Sequence, residues 1–310
     1  MKNFAFLFLV STLLTSCISL KPNLRVSQLS YCAPPAPYCY DSCYLPLADI
    51  TPILQGNGAL LKYFSYQDIL LANASGSFYL LQDLVRLKEN KAIDEDSLLY
   101  LMLKKQQIFN RLLLASTEVA SVAAELDCES ERSRQLAGYL DQINDTRTQQ
   151  LTILSVIAGA ATGIGTSIDQ SRGAQIGIGV TGSVLSALFG GWAAISSRDK
   201  VLFNHYRNLL SDVWFEPKKS TTYPPFVWFI LTNKEFATGG KTTVQFLKER
   251  WTDEELFDAS KKSKVDLFFG PGGKYLSSEL HSRTSMLNQL KAEVRSINQN
   301  LQSFMLKLSV

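Results

Sequence analysis

The sequence predicts a mainly α protein: long antiparallel, coiled-coil-like helices with a glycine-rich hydrophobic helical hairpin, plus a small mixed subdomain. Three observations predict this fold class. Apolar residues follow a heptad pattern through residues 101–157, a second heptad series fills 287–308, and two uncharged glycine-rich runs occupy 151–195. Because a heptad seam buries its apolar edge only against another helix, we expect the two series to pair.

Composition limits the class of function. The chain has 310 residues, enough for one large or two small domains, and a formal net charge of +3. No basic stripe is present, which argues against nucleic acid as a partner. The two histidines, His205 and His281, lack a second ligand at helical spacing, so neither a metal nor a cofactor is predicted. We expect no enzymatic activity and assign no catalytic residue.

The N-terminus carries an export pattern. Lys2 precedes an apolar run, and Leu14-Thr15-Ser16-Cys17 follows it. This tetrad resembles the lipobox of bacterial lipoproteins. The resemblance implies that residues 1–16 are a signal peptide and that Cys17 carries acyl chains, which bind the lipid bilayer. Residue 18 is Ile, not Asp, which favours the outer membrane and its periplasmic face within the bacterial cell envelope.

Residues 17–57 are rich in proline and cysteine and are predicted to be a tether, because prolines at this density disfavour helix. Beyond Cys17, four cysteines remain: Cys32, Cys39, Cys43 and Cys128. An even number in an oxidising compartment is compatible with two disulfides, in any of three connectivities.

Residues 58–216 are predicted to form a helical rod. Its long helix begins near residue 95, with Asp94 as N-cap, and continues into the first glycine-rich run, a length of about 100 Å. The seam turns polar at Glu129 and Ser133, where we expect it either to loosen or to change its partner segment. The neighbouring charges are predicted to form a solvated face: Asp127, Glu129, Glu131, Arg132 and Arg134. After the hairpin, residues 199–213 are predicted to be a helix antiparallel to the first.

The hairpin consists of residues 151–168 and 173–195, joined by a polar turn at 169–172. Each run is long enough to cross the ~30 Å core of a bilayer, the first only barely. Small residues recur every four positions: Ser155, Gly159, Gly163 and Ser167 on the first arm, and Gly179, Ser183, Ala187 and Gly191 on the second. This spacing predicts that the two helices pack closely, in water or in lipid.

Residues 217–275 are predicted to be a small mixed subdomain, in which 226–231 and 265–269 are strand-like or short buried segments. Residues 276–310 are predicted to be a coiled-coil helix. Its a and d positions are apolar throughout: Leu287, Leu290, Val294, Ile297, Leu301, Phe304 and Leu308.

These features favour a membrane-anchored structural or interaction lipoprotein, whose hairpin packs against a second copy, an envelope protein or a membrane. The order of long helix, hydrophobic hairpin and long helix resembles that of α-helical pore-forming toxins. That resemblance implies an alternative in which residues 151–195 insert into a membrane. The body also resembles bacterial lipoproteins that join a long helix to a glycine-rich hairpin, a resemblance that implies no function. A second alternative is an enzyme with its site in 217–275.

Overall fold

The computed structural model describes residues 32–34, 40–56, 58–89, 95–168, 184, 186–188 and 199–309. This part of the chain is mainly α with one small two-stranded sheet, which confirms the predicted fold class. Its helices and strands, in chain order, are α1 (Thr51–Gly56), α2 (Ala59–Tyr63), α3 (Tyr66–Ala74), α4 (Phe78–Glu89), α5 (Glu95–Ile168), β1 (Val201–Asn204), α6 (Leu209–Phe215), α7 (Pro225–Thr232), α8 (Thr243–Asp253), α9 (Lys262–Phe269), β2 (Gly272–Tyr275) and α10 (Ser277–Ser309). The predicted N-cap Asp94 lies outside the described residues.

The two long helices form the rod. Helix α5 has 74 residues and is about 110 Å long, and α10 has 33 residues and is about 50 Å long. They pack antiparallel, because Asn298 bonds Ser116 near one end of α10 and Lys291 pairs with Asp127 further along. Each seam residue from Ile108 to Leu140 is buried, as are the seven apolar residues of the α10 series. The predicted pairing of the two heptad series is confirmed.

One end of the rod carries a cap of four short helices, α1 to α4. The Ser65 side chain and Asp68 form a capping box that starts α3, while α4 packs along α5. The end of α10 meets this cap, since Lys307 Nζ lies 2.6 Å from Asp68 Oδ2 and the rings of Phe304 and Phe64 meet edge to face. At the other end, Ser277 bonds Asp141, so α5 continues for about 40 Å beyond α10.

The subdomain extends further than residues 217–275, because it also includes β1 and α6. It lies beside the middle of the rod. Strands β1 and β2 pair antiparallel, with Val201 opposite Tyr275 and Asn204 opposite Gly272. Gly272 has φ +91°, and a Cβ there would lie 2.3 Å from the carbonyl oxygen of Phe203, so the strand pairing requires glycine. Helices α6 to α9 enclose a core of aromatic rings in mutual contact: Trp214, Trp251, Phe257, Phe268 and Phe269.

One local prediction is wrong, and a second is correct for one of its two alternatives. The predicted helix at 199–213 is instead β1 followed by the short α6. The alternation that buries Phe203 and exposes Leu202 suits a strand, and only the distant β2 makes that strand stable. The segments 226–231 and 265–269, predicted as strand-like or short buried segments, are helical and not strand-like; the first is mostly buried, and the second buries Phe268 and Phe269. Pro225 at the first turn of α7 favours that helix, because its fixed φ matches helical geometry.

Candidate functional site

The base of the hairpin is a pair of facing serines. Ser155 Oγ donates to the Ser186 carbonyl at 3.4 Å, and Ser186 Oγ donates to the Ser155 carbonyl at 3.2 Å. Nearer the rod, Arg147 Nη1 lies 2.7 Å from Asp199 Oδ2. Because 155 meets 186 and 147 meets 199, the chain returns antiparallel along α5 towards the subdomain.

The structure describes some of the predicted packing residues. Gly159 lies beside Ser186, since a Cβ on Gly159 would be 3.6 Å from Ser186 Oγ. Gly163 and Ser167 are in the last turns of α5, and Ala187 is exposed, one position after the residue that makes the contact. The other three, Gly179, Ser183 and Gly191, lie outside the described residues, as does the predicted turn at 169–172.

Sequence reasoning missed Ser186. A second small-residue series, Gly182, Ser186 and Gly190, runs one position before the predicted one and includes the contact position. Periodicity alone gives both series the same spacing. Only the neighbouring helix decides which of them faces inward.

The outward surface of this base is apolar. On α5 the residues around Ser155 are exposed: Ile153, Leu154, Val156 and Ile157. At about 100° per residue these four side chains cover an arc of about 160°, with Ser155 on the opposite side. Val184 and Leu188 are exposed on the returning arm. The pair thus turns hydroxyls inward and hydrocarbon outward, the reverse of a helical pair that folds in water.

Among the described helices, none is both long and apolar enough to cross a bilayer. About half of the predicted hairpin, residues 151–195, lies outside the described part of the chain.

The N-terminal segment crosses the rod as a strap, which we define as residues 32–34 and 40–49. A disulfide joins Cys32 to Cys128, with their Cα atoms 5.6 Å apart. Tyr40 hydrogen-bonds Glu118, and the Tyr44 ring lies 4.6 Å from the Arg111 guanidinium. Of the other cysteines, Cys43 lies in a 3-10 turn at Ser42–Tyr44, while Cys17 and Cys39 are outside the described residues.

Beneath the strap, Glu118 lies at a very small cavity of about 10 Å³. Burial raises the pKa of Glu118 to about 7, opposed by the hydrogen bond with Tyr40. Two turns further along α5, burial also raises the pKa of Glu125 to about 7, although Arg207 Nε lies 2.8 Å from its Oε1. Both carboxyl groups therefore change charge near neutral pH.

A buried charged cluster joins the subdomain to the rod where the seam turns polar. Glu129 and Arg132 pair at 2.6 Å and are both buried, and the Arg132 guanidinium lies 5.0 Å from the Phe203 ring centre. The predicted solvated face is wrong for these two residues. In a rod of two helices alone, this side of α5 would face solvent. In this protein β1 covers it, because Phe203 of β1 packs against Arg132.

Arg283 of α10 completes the cluster. It is fully buried, donating from Nη1 to the Phe268 carbonyl at 2.8 Å and from Nη2 to Asn208 Oδ1 at 3.1 Å. Asn208 in turn caps α6 and donates to the carbonyls of Phe268 and Gly270. A single arginine thus holds two helices of the subdomain, α6 and α9, against the rod.

His205 is neutral within this cluster. Burial, followed by the charges of Arg283 and Arg132, lowers the pKa of His205 well below its usual range. Tyr275 donates its only hydroxyl proton to the Leu267 carbonyl, so His205 Nε2 donates to Tyr275 Oη at 2.8 Å. These groups make structural hydrogen bonds and do not line an open cleft.

The subdomain has a shallow groove of about 270 Å³ against α10. Apolar Ile230, Leu231 and Phe246 line it together with polar Glu293 and Asn300. Among its described lining residues there is neither histidine nor cysteine. The groove offers hydrocarbon and hydrogen-bonding groups, which suit contact with a ligand or a protein.

The described contacts define a mainly α rod with a capped end, a strap disulfide and a helical hairpin base. Comparison of the chain with protein-family models, with curated proteins and with solved structures finds no match.

Proposed function

We propose that the protein is a membrane-anchored structural lipoprotein of the bacterial cell envelope, attached through acyl chains on Cys17. Its rod holds the glycine-rich hairpin, which packs closely with a second copy, an envelope partner or a membrane. The observation that carries this proposal is the inverted polarity of the hairpin base. Ser155 and Ser186 bond each other inward, while Val156 and Ile157 are exposed outward.

Other contacts support a structural role. The polar groups at the centre of the molecule are used to hold elements together, as in the Glu129–Arg132 pair and the Arg283 hydrogen bonds. The Cys32–Cys128 disulfide suits an oxidising compartment such as the periplasm.

The test of the anchor is metabolic labelling with a clickable fatty acid in a bacterial host that acylates lipoproteins. We expect the native chain to be labelled and the Cys17→Ala variant to be unlabelled. A Cys32→Ala variant is the matched control, because it removes a cysteine that is not in the lipobox and should keep the label. An unlabelled native chain would contradict the lipoprotein proposal.

A pore-forming or membrane-perturbing protein is the second candidate, favoured by the outward apolar arc around Ser155. Its test is carbonate extraction of the Cys17→Ala variant. A variant that stays in the membrane fraction supports integral insertion of residues 151–195. One that washes off completely excludes insertion and leaves the packing role.

A further inference from the structure

The strap disulfide fixes where the N-terminal anchor joins the rod. Cys32 is bonded to Cys128, which lies near the middle of α5 and not at either end. Cys32 follows Cys17 by fifteen positions, and a fully extended chain of that length spans about 50 Å. A membrane that holds acyl chains on Cys17 must therefore lie within about 50 Å of Cys128.

The hairpin base lies within the same distance. From Cys128 to Leu151, where the apolar run begins, α5 advances 23 residues, or about 35 Å. With the rod upright on a bilayer, the tether would need to cover only about 2.3 Å per residue, well below its extended limit. The anchor and the hairpin base can reach one bilayer without stretching the chain.

From this geometry, and resting on the proposed acylation of Cys17, we propose that the outward apolar arc of the hairpin base docks into the same bilayer that holds the anchor. The arc consists of Ile153, Leu154, Val156 and Ile157, continued by Val184 and Leu188 on the returning arm. Branched hydrocarbon outward and hydroxyl pairs inward are what a helical pair needs in lipid, where polar groups must find partners within the pair.

The tether is also positively charged. The fourteen residues between Cys17 and Cys32 contain Lys21 and Arg25 and no acidic residue. Two positive charges near an anionic lipid surface are attracted to it, which keeps the tether close to the bilayer that holds the anchor. An opposing bilayer could meet the arc only within a combined span of about 85 Å, the limit with the tether stretched one way and α5 pointing the other.

The experiment places a photoactivatable benzophenone residue at Ile157 of the full-length acylated protein in lipid vesicles. Leu113 is the matched control, because it lies on the same helix and is equally exposed, at 60% against 59% for Ile157. The vesicles that hold the protein contain one labelled phospholipid, and added protein-free vesicles contain a second, distinguishable label. We expect Ile157 to crosslink the first label at least tenfold more than Leu113 does, and to crosslink the second label not at all.

Three results would overturn the inference. Crosslinking of the second label would assign the arc to an opposing membrane, and crosslinking to protein alone would assign it to a partner or a second copy. Equal crosslinking at Leu113 would mean that the rod lies flat on the lipid. In each case fatty-acid labelling of Cys17 stays intact, so these failures are distinct from failure of the lipoprotein proposal. A second crosslinker at Val156, on the same arc, guards against a misfolded Ile157 variant.

Discussion

Two ion pairs on α5 have the same spacing but different surroundings. Glu129–Arg132 is buried under β1, whereas Glu131–Arg134, two residues further on, is exposed. A buried charge that loses its partner keeps its desolvation cost, while an exposed one is rehydrated by water. Sequence alone places both pairs in one charged cluster, and only burial separates them.

We expect Arg132→Ala to lower the free energy of unfolding by about 3–5 kcal/mol, because Glu129 is left buried without its cation. The matched Arg134→Ala variant should leave the free energy of unfolding nearly unchanged, because water rehydrates the exposed Glu131. Urea unfolding followed by circular dichroism measures both. Equal losses in the two variants would contradict the buried position of Arg132.

The carboxyl group of Glu118 should make the free energy of unfolding depend on pH. Its pKa is about 7 in the folded protein, against 4.5 as the model-compound value. Between these two values the folded state binds the proton more tightly, so the Glu118 contribution to stability is full below pH 4.5 and is lost as pH rises through 7. The free energy of unfolding of the native protein should therefore fall between pH 5 and pH 8. We expect the Glu118→Gln variant to lose about 2 kcal/mol less than the native protein over the same range.

The control for this pH series is Glu131→Gln. Glu131 is exposed, and its hydrogen bond with Arg134 lowers its pKa, so its titration lies below the window. Its pH profile should follow that of the native chain. A Glu118→Gln profile that also follows the native chain would mean that Glu118 is solvated and not covered by Tyr40.

Within the described part of the chain, the strap is attached to the rod by a covalent bond. The Cys32–Cys128 disulfide closes a loop across a sequence separation of 96 residues, which spans the cap helices and the first part of α5. Closing so long a loop restricts the unfolded chain and stabilises the folded state by about 4.7 kcal/mol in the chain-entropy account.

A reducing agent should therefore lower the urea midpoint of the native protein, and the double variant Cys32→Ala, Cys128→Ala should unfold at that lower midpoint with or without reductant. The double variant is its own control, because Cys39 and Cys43 are still present. A reductant effect that persists in it would assign the stabilisation to those two cysteines. A native midpoint that does not respond would contradict the bond.

The helices show how far sequence reasoning reaches. The seam residues of α5 and the α10 series were predictable, because heptad spacing is local and each helix carries its own pattern. Strand β1 was not, since its four residues gain a partner only from β2, about 70 residues later. The same holds for Arg283 and Asn208, whose contact joins residues 75 apart.

At the scale of the whole molecule, α5 is the longest described helix, and α4, α7 and α10 pack directly against it. The cap helices and the strap lie along its first half, α10 and the subdomain along its middle, and the returning arm along its last part. Each group uses a different face or length of one helix. The predicted packing site was found only in part because it depends on which face of α5 the returning arm covers, and Ser186 rather than Ala187 occupies that face.

The position of Cys128 also gives α5 a mechanical property. It divides the helix into a 33-residue arm towards the cap, about 50 Å, and a 40-residue arm towards the hairpin, about 60 Å. A pull on the N-terminus is therefore delivered to the middle of the helix through the Cys32–Cys128 disulfide, and it bypasses the residues between Cys32 and α1.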